Sequence, residues 1–409
     1  MSRSTLEVAD VFHAFGQSYR NEHAGHLGLQ QHKVMSAIEH CRTSVLGGHV
    51  LQCPECEHVQ VAYNSCRNRH CPKCQASSAK RWLEARQTEL LPVEYYHLVF
   101  SLPSDLADLA YYNKDVMYGI LMKTAAKTLL TIAADKKHLG AQVGVTFVLH
   151  TWGSAMTHHP HVHGIVPGGG LSLDGKQWLS CKKGFFLPVR VLSRLFRRLY
   201  LARLEEAHQQ GKLQFFGEYQ GLADERQFTA WLNKHRKMEW VVYAKRPFAG
   251  PDAVLHYLAR YTHRVAIANS RLVSMDNNSV SFRWKNYRVK TQCRQRVMQL
   301  DHDEFIRRFL LHVLPSGFHR IRHYGLVANA SRKRNLQQAR ELLHVPALEP
   351  VVQEAAEVAM LDRTDPFICP KCHAPMMIIE LLIGINYPRA PPERIINPVE
   401  RMALKKMTV

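Results

Sequence analysis

The sequence is short of acidic residues. Its 409 residues include 54 Lys and Arg but only 34 Asp and Glu, giving a formal net charge of +20 and a pI near 9.6. No uninterrupted apolar run approaches the roughly 18 residues of a membrane span, the N-terminus shows no apolar segment of the secretory type, and no GxxxxGK[ST] loop is present. These absences disfavour a membrane protein, a secreted protein and an ATP-driven enzyme. The excess of positive charge favours a polyanionic partner.

Three Cys-x-x-Cys pairs stand out among the ten cysteines. The first two, at 53–56 and 71–74, are separated by fourteen residues (57–70), and the third is at 369–372. The spacing of the first two is close to that of a structural zinc site, in which four thiolates close a tetrahedron. We therefore predict zinc ligands at Cys53, Cys56, Cys71 and Cys74.

Four further cysteines leave the grouping of zinc ligands open. They are Cys41, Cys66, Cys369 and Cys372. Together with the first four they could fill two tetrahedral sites, although His70 could replace any one of them. We expect a prokaryotic, cytoplasmic protein near the nucleoid, where cysteines are thiols or metal ligands rather than disulfides.

The segment just before the second Cys-x-x-Cys pair is basic. Arg67 and Arg69 lie within the short run from Cys66 to Cys71. Fixed cations in a constrained loop suit contacts with phosphates, which position a protein on DNA without reading its sequence. The alternative is a solvated basic surface without a partner.

A histidine-rich segment, His159-Pro160-His161-Val162-His163, lies in an apolar context that predicts a β-strand. His161 and His163 then point to the same face, where two neutral imidazoles can hold a divalent metal. A third ligand is needed. We assign it to His159, with His150 and His256 as the alternatives. The alternative is that the histidines are merely buried polar residues.

A second segment with candidate catalytic residues is predicted to form a helix, which begins at Pro251 and Asp252. Tyr257 and Tyr261 are four residues apart and therefore share one helix face. Such a pair is usually a packing feature, and a phenol with a pKa near 10 is a poor nucleophile. A metal that polarises a phosphate makes its attack feasible. Two arginines lie close by in sequence and could contact DNA, namely Arg260 and Arg264.

Taken together, these segments resemble the rolling-circle transposases of the insertion sequence 91 family, which belong to the two-tyrosine HUH endonuclease superfamily. The resemblance runs from about residue 20 to residue 335. The matching segments are 66–74, 149–152, 158–170, 257–268, 304–309 and 317–325. It implies a ferredoxin-like or RRM-like nuclease core, and a zinc-binding domain that recognises the ends of the mobile element.

The order of predicted elements indicates an α+β fold with a mainly antiparallel sheet flanked by helices. A strand over Tyr95–Leu102 is followed by one long helix to about Asp135 and a β-hairpin turning near Gly153. We divide the chain into a helical and zinc-binding DNA-recognition domain, an HUH catalytic domain and a C-terminal tail. Their limits are 1–90, 91–335 and 336–409.

The function expected from this pattern is a transposase that nicks and joins single-stranded DNA. His161 and His163 would hold Mg²⁺ or Mn²⁺, and Tyr257 and Tyr261 would form 5′-phosphotyrosine links with DNA. Zn²⁺ would be structural. A plasmid relaxase or replication initiator of the same superfamily is one alternative. A zinc-containing DNA-binding regulator without catalysis is another.

Overall fold

The computed structural model describes residues 6–245, 265–286, 294–345 and 367–384. The chain divides into two compact units, Met1–Glu39 with Arg67–Val352 and His40–Cys66 with Gln353–Val409. The two units interleave along the chain, whereas the predicted segments follow one another. The functional roles given to those segments remain predictions.

The described helices and strands alternate along most of the chain. The helices are α1 Val8–Glu22, α2 Leu29–Glu39, α3 Pro72–Gln87, α4 Ser104–Tyr112, α5 Lys114–Ala134, α6 Val189–Gln209, α7 Glu225–Lys237, α8 His302–Leu311 and α9 Arg332–Leu342. The strands are β1 Gly48–Gln52, β2 Val59–Tyr63, β3 Tyr95–Ser101, β4 Ala141–Gln142, β5 Gly144–Trp152, β6 His158–Pro167, β7 Gly169–Ser172, β8 Trp178–Ser180, β9 Val242–Lys245, β10 Leu272–Met275, β11 Ser279–Lys285, β12 Gln295–Asp301, β13 Ile321–Gly325 and β14 Met377–Leu382.

A five-stranded sheet in the order β13-β5-β6-β3-β9 forms the centre of the first unit, and all its neighbouring strands are antiparallel. Along the chain its elements run β3, α4 and α5, β5, β6, α6 and α7, then β9. This β-α-β-β-α-β order is compatible with the expected ferredoxin-like or RRM-like core. The predicted α+β class, the strand near Tyr95 and the hairpin around Gly153 are confirmed.

The sheet has one apolar face and one polar face, because successive residues of a strand point to opposite sides. On β3, Leu98 and Phe100 are fully buried in the main hydrophobic core, which also contains residues of α4 to α7. Phe100 packs edge-on against Phe196 of α6 with ring centroids 5.0 Å apart. Gly164 belongs to this face, and a Cβ there would lie 2.5 Å from the Phe147 ring. The strand therefore needs glycine where Phe147 crosses it.

Asn113 divides the helix predicted from Ser104 to about Asp135 into α4 and α5. Its side chain donates to the carbonyl of Leu109 (3.1 Å) and of Gln214 (2.8 Å), and accepts from the Gln214 N–H (2.7 Å). An Asn side chain that bonds backbone groups competes with helix continuation, which explains the break. By length and composition α5 could cross a membrane, but 56% of it is buried and most of its inner face lies in the core.

The remaining strands form smaller sheets. Strands β10, β11 and β12 make an antiparallel sheet, and a turn over residues 276–278 connects the first two. The Asp276 carboxylate accepts from the N–H groups of Asn278 and Ser279, which closes that turn. Strands β4, β7 and β8 form another three-stranded sheet.

The second unit is an antiparallel sheet in the order β14-β1-β2 with two cysteine turns. The turns are alike. Cys53 donates its N–H to His58 and accepts from Glu57, while Cys369 donates to Ala374 and accepts from His373. Glu57 and His373 both adopt positive φ angles, of 56° and 63°. The apolar core of this unit is small, with Leu51, Cys53, Cys369 and Met376 as its buried members.

Candidate metal-dependent active site

Three histidines meet on the polar face of the five-stranded sheet. His150 on β5 lies directly opposite His161 on β6, and His163 follows two residues later on the same face. Their ligand nitrogens all lie within 4.8 Å of one another. The three side chains are at most 9% exposed. The five-residue turn between β5 and β6 sets this register, so the hairpin itself assembles the cluster.

Hydrogen bonds fix which ring nitrogens face the centre of the cluster. Nδ1 of His161 donates to the carbonyl of its neighbour His159 over 2.7 Å, which leaves the lone pair of His161 on Nε2. That Nε2 lies 3.0 Å from Nε2 of His163. Two such nitrogens need a proton or a cation between them, since facing lone pairs repel. A separation of about 3 Å also suits adjacent ligands of an octahedral ion with bonds of about 2.1 Å.

His97 supports the cluster from the neighbouring strand β3. Its Nε2 lies 2.8 Å from Nδ1 of His163, and the two rings are nearly parallel, at 10°. When His163 binds a metal through Nε2, its Nδ1–H donates to His97, which sets both the tautomer and the ring orientation. Sequence reasoning did not single out His97. The signal was a buried polar residue in the middle of a strand otherwise rich in Tyr, Val and Phe.

Burial keeps the rings of His161 and His97 in the neutral form. It lowers the pKa of His161 to about 4, with smaller effects from the neighbouring rings of His159 and His97. It also lowers the pKa of His97 to about 4, with Lys245 contributing. At neutral pH both side chains are therefore uncharged, as ligation and second-sphere support require.

The structure brings together only some of the residues predicted for this site. His161 and His163 lie side by side as expected, but the third member of the cluster is His150 and not His159. The His159 ring centroid is 5.1 Å from that of His161, and its main contribution is the backbone carbonyl. The remaining predicted residues lie outside the described part of the chain. They are Tyr257, Tyr261, Arg260, Arg264 and the alternative ligand His256.

A separate thiol cluster closes the two cysteine turns of the second unit. Sγ of Cys53 lies 3.3 Å from that of Cys372, and Sγ of Cys56 lies 3.6 Å from that of Cys369. Tetrahedral zinc with bonds of about 2.3 Å places its sulfurs about 3.8 Å apart, so the four residues fit the ion. The backbone N–H of Lys371 points at Cys369 Sγ over 3.4 Å, which favours a thiolate there.

This cluster groups the predicted zinc ligands differently from their order along the chain. Cys53 and Cys56 pair with Cys369 and Cys372, not with the pair at 71–74. The nearer pair had been favoured because it is close in sequence, whereas β14 carries the distant pair to β1.

The other four cysteines predicted as zinc ligands are all buried. In the second unit, the N–H of Cys66 points at Cys41 Sγ over 3.5 Å. In the first unit, Cys71 and Cys74 begin helix α3. Nε2 of His70 is already engaged, because it accepts from the Leu314 N–H over 3.4 Å, which disfavours His70 as a substitute ligand through that atom.

The two arginines predicted to contact DNA have different surroundings. Arg69 is occupied within the protein, because its guanidinium donates to the backbone carbonyls of Pro315 and Phe318. Burial also lowers its pKa. Arg67 is exposed and has a positive φ of 51°. The structure therefore leaves Arg67, and not Arg69, in a position to meet phosphates.

The fold and these clusters define a strongly basic α+β protein whose described residues include a three-histidine cluster and a four-thiol cluster. Two known protein families match separate parts of the chain. The family described as "Putative transposase" matches residues 144–335, and that described as "Transposase zinc-binding domain" matches residues 11–102. No solved structure matches the chain significantly.

Two curated proteins resemble most of the chain. One is "Putative transposase y4qJ" of Sinorhizobium fredii (strain NBRC 101917 / NGR234), 53% identical over 95% of this chain and 98% of its own length. The other is "Transposase for insertion sequence element IS801" of Pseudomonas savastanoi pv. phaseolicola, 27% identical over 85% of this chain and 82% of its own length. The chain belongs to the insertion sequence 91 family of transposases. It is thus a DNA-processing enzyme with a zinc-binding domain.

Proposed function

We propose that this transposase cuts and rejoins single-stranded DNA through a tyrosine, at the cluster of His150, His161 and His163. The observation that supports the proposal is the convergence of three histidine side chains on the polar face of the central sheet, in a member of a transposase family. A bound divalent cation would neutralise charge on the scissile phosphate. The donor set contains three nitrogens and no carboxylate. Between the two expected ions this favours Mn²⁺ over Mg²⁺, which prefers oxygen ligands.

The chain's own residues have separate roles in this proposal. His161 and His163 are oriented by the His159 carbonyl and by His97, so that their Nε2 lone pairs meet. Tyr257 or Tyr261 supplies the phenolic oxygen that attacks phosphorus. The bond from phosphorus to the 3′ oxygen breaks, the phenolic proton leaves, and the departing oxygen takes up a proton. The products are a free 3′-hydroxyl and a 5′-phosphotyrosine.

The second tyrosine explains how strands are exchanged. While one tyrosine holds a 5′ end, the other can attack a second strand without releasing the first. A 3′-hydroxyl then attacks the phosphotyrosine and restores a DNA bond, so no ATP is needed. Rolling-circle transposition of an insertion sequence requires this series of transfers. Arg260 and Arg264 are proposed to contact the phosphates at the site.

The cysteine regions are proposed to bind two structural zinc ions. Cys53, Cys56, Cys369 and Cys372 hold one ion. By subtraction, the other is assigned to the remaining predicted ligands, Cys41, Cys66, Cys71 and Cys74. Arg67 and the surrounding zinc-binding region are proposed to recognise the ends of the element. We place the protein in the cytoplasm at the nucleoid, where its DNA lies.

A labelled single-stranded oligonucleotide carrying an element end tests the proposal. We expect a covalent adduct that resists SDS and forms only with a divalent cation. The Tyr257→Phe/Tyr261→Phe double variant should form none, whereas one of the two single variants should still nick the oligonucleotide. An adduct with the double variant would overturn the tyrosine assignment. A plasmid relaxase would instead prefer a plasmid origin strand, and a non-catalytic regulator would bind without any adduct.

A further inference from the structure

Helix α6 carries an unusual concentration of positive charge. Its first fifteen residues, 189–203, contain five arginines and no acidic residue. Arg194 and Arg198 are exposed and four residues apart, so they share a face and repel each other. Neither makes a hydrogen bond or an ion pair within the described part of the chain. A helix that carries this repulsion is suited to an anionic partner.

These arginines border a groove of about 760 Å³ between α5, α6 and α7. Its apolar lining comes from both long helices and consists of Ile132, Val191, Leu195, Leu201 and Ala202. Its cationic lining consists of Arg194, Arg197, Arg198 and Arg236. We call this the α6 groove. It combines an apolar floor with an arginine rim.

Two of the four arginines are already held in place. Arg197 donates to the carbonyl of Met238, and Arg236 pairs with Glu205 at 2.8 Å. Arg194 and Arg198 make no such contact among the described residues, and both are exposed. The groove thus has two ordered guanidinium groups and two that are available to a ligand.

The α6 groove lies away from the histidine cluster. Phe196, two residues from both Arg194 and Arg198, packs on Phe100 at the apolar face of the central sheet. The arginines therefore project from the outer side of the helix layer, while the histidines lie on the other face of the sheet. A helix layer about 10–12 Å thick and the sheet itself separate the two places. A nucleotide in the groove cannot be the one at the histidines.

We propose that the α6 groove binds a segment of single-stranded DNA, separate from the segment that is cut. Guanidinium groups pair with phosphates in a planar, two-pronged manner. The apolar floor between them suits unstacked bases, which a duplex keeps buried in its interior. A transposase that exchanges strands has to retain one strand while another reacts. The inference rests on the proposed function only in taking single-stranded DNA as the ligand.

Binding without cleavage tests this groove directly. Full-length protein is titrated into a fluorescent single-stranded oligonucleotide in EDTA, and anisotropy is recorded over a range of salt. The test variant is Arg194→Ala/Arg198→Ala. We expect affinity to fall at least tenfold. The slope of log affinity against log salt should shrink by about 1.4, or 0.7 for each lost phosphate contact.

A matched variant controls for the loss of net charge. Lys212→Ala/Arg226→Ala removes two exposed cations outside the groove and should change affinity less than threefold. Because all four residues are exposed, thermal unfolding should be unchanged in both variants. Equal affinities and equal salt slopes for the two variants would contradict DNA binding in the α6 groove. A larger loss for duplex than for single-stranded DNA would overturn the assignment to a single strand.

A cleavage assay separates this inference from the proposed function. At saturating oligonucleotide with Mn²⁺, the groove variant should form the covalent adduct at the normal rate, because the histidines are untouched. If no adduct forms even with the unaltered protein, the proposed chemistry fails while the binding result stands on its own.

Discussion

The histidine cluster and the four-thiol cluster are both candidate metal sites, but they are assembled differently. His150, His161 and His163 come from one hairpin and lie on a large sheet with its own hydrophobic core. The thiol cluster joins chain segments that are more than 300 residues apart, 53–56 and 369–372, around a very small core. We expect the sheet that carries the histidine cluster to stay folded without an ion. We expect the second unit, with its small core, to need its ion to stay folded.

The same contrast appears in two identical tetrapeptides. Cys-Pro-Lys-Cys occurs at 71–74 and again at 369–372. The first copy begins helix α3 with proline at its first position, and helix-forming residues such as Gln75 follow. The second copy makes a turn that ends on His373 at positive φ, before Ala374 and a proline. The residues that follow the motif, and not the motif, decide its backbone.

The largest expected effect falls on the histidine site. His161→Ala or His163→Ala should lower the rate of adduct formation at least a thousandfold, because each removes a ligand. DNA affinity and thermal stability should change little, since binding rests mainly on phosphate contacts and the sheet keeps its apolar face. Gel analysis of the covalent adduct measures the rate. His159→Ala is the matched control and should keep most activity, and an equal loss there would contradict the ligand set.

The next largest effect is expected at the thiol site, where a substitution should lower stability and leave cleavage largely intact. Cys53→Ser or Cys369→Ser should cost one bound zinc and several kcal/mol of stability in the second unit, because little apolar core remains to hold it. Oligonucleotide cleavage should largely survive. Elemental analysis and limited proteolysis measure both changes. Cys181→Ser removes a thiol outside every cluster among the described residues, and should leave the zinc content unaltered.

A smaller effect is expected for the residue that orients His163. His97→Ala should weaken Mn²⁺ binding about 10- to 100-fold while keeping all three ligands. His97→Gln, whose carbonyl can accept from Nδ1–H, should restore part of the affinity. His323→Ala serves as the control, because His323 lies on the same face but bonds Thr146 instead. Equal affinities for the alanine variant and the control would remove His97 from the site.

The smallest effect concerns pH. Burial lowers the pKa of His158 and of His312 to about 3, far below the value near 6.5 in the unfolded chain. Between these values the unfolded chain binds more protons, so the free energy of unfolding falls as the pH drops, by about 1.4 kcal/mol per pH unit for each group. His312→Gln should make that dependence shallower between pH 7 and 5. Urea unfolding at several pH values measures it, and an unchanged slope would contradict the burial argument.

Sequence alone was sufficient wherever a feature depends on neighbours along the chain. Alternation along one strand put His161 and His163 on the same face, and the β5–β6 hairpin was predicted. For the third ligand we predicted His159, whereas the structure places His150 beside the other two histidines. That choice depends on the register across the hairpin, which a strand prediction does not define.

Contacts between distant segments could not be obtained from the sequence. Nothing local to Cys53 indicates that its partners begin at Cys369, because the pairing of β14 with β1 is set by the fold. His97 was missed for the same reason, since only the pairing of β3 with β6 brings it to His163. Arg69 was expected on a DNA surface, but the backbone carbonyls of Pro315 and Phe318 take up its guanidinium.

Direct measurement of Mn²⁺ binding by electron paramagnetic resonance tests the central claim, that three histidines form the catalytic ion site. The full-length protein, loaded with zinc, is titrated with Mn²⁺ alongside the His150→Ala and His159→Ala variants. The account predicts one site in the unaltered protein, a loss of affinity of at least a hundredfold for His150→Ala, and nearly unchanged affinity for His159→Ala. Tight Mn²⁺ binding that survives His150→Ala, or that is lost with His159→Ala, would contradict it.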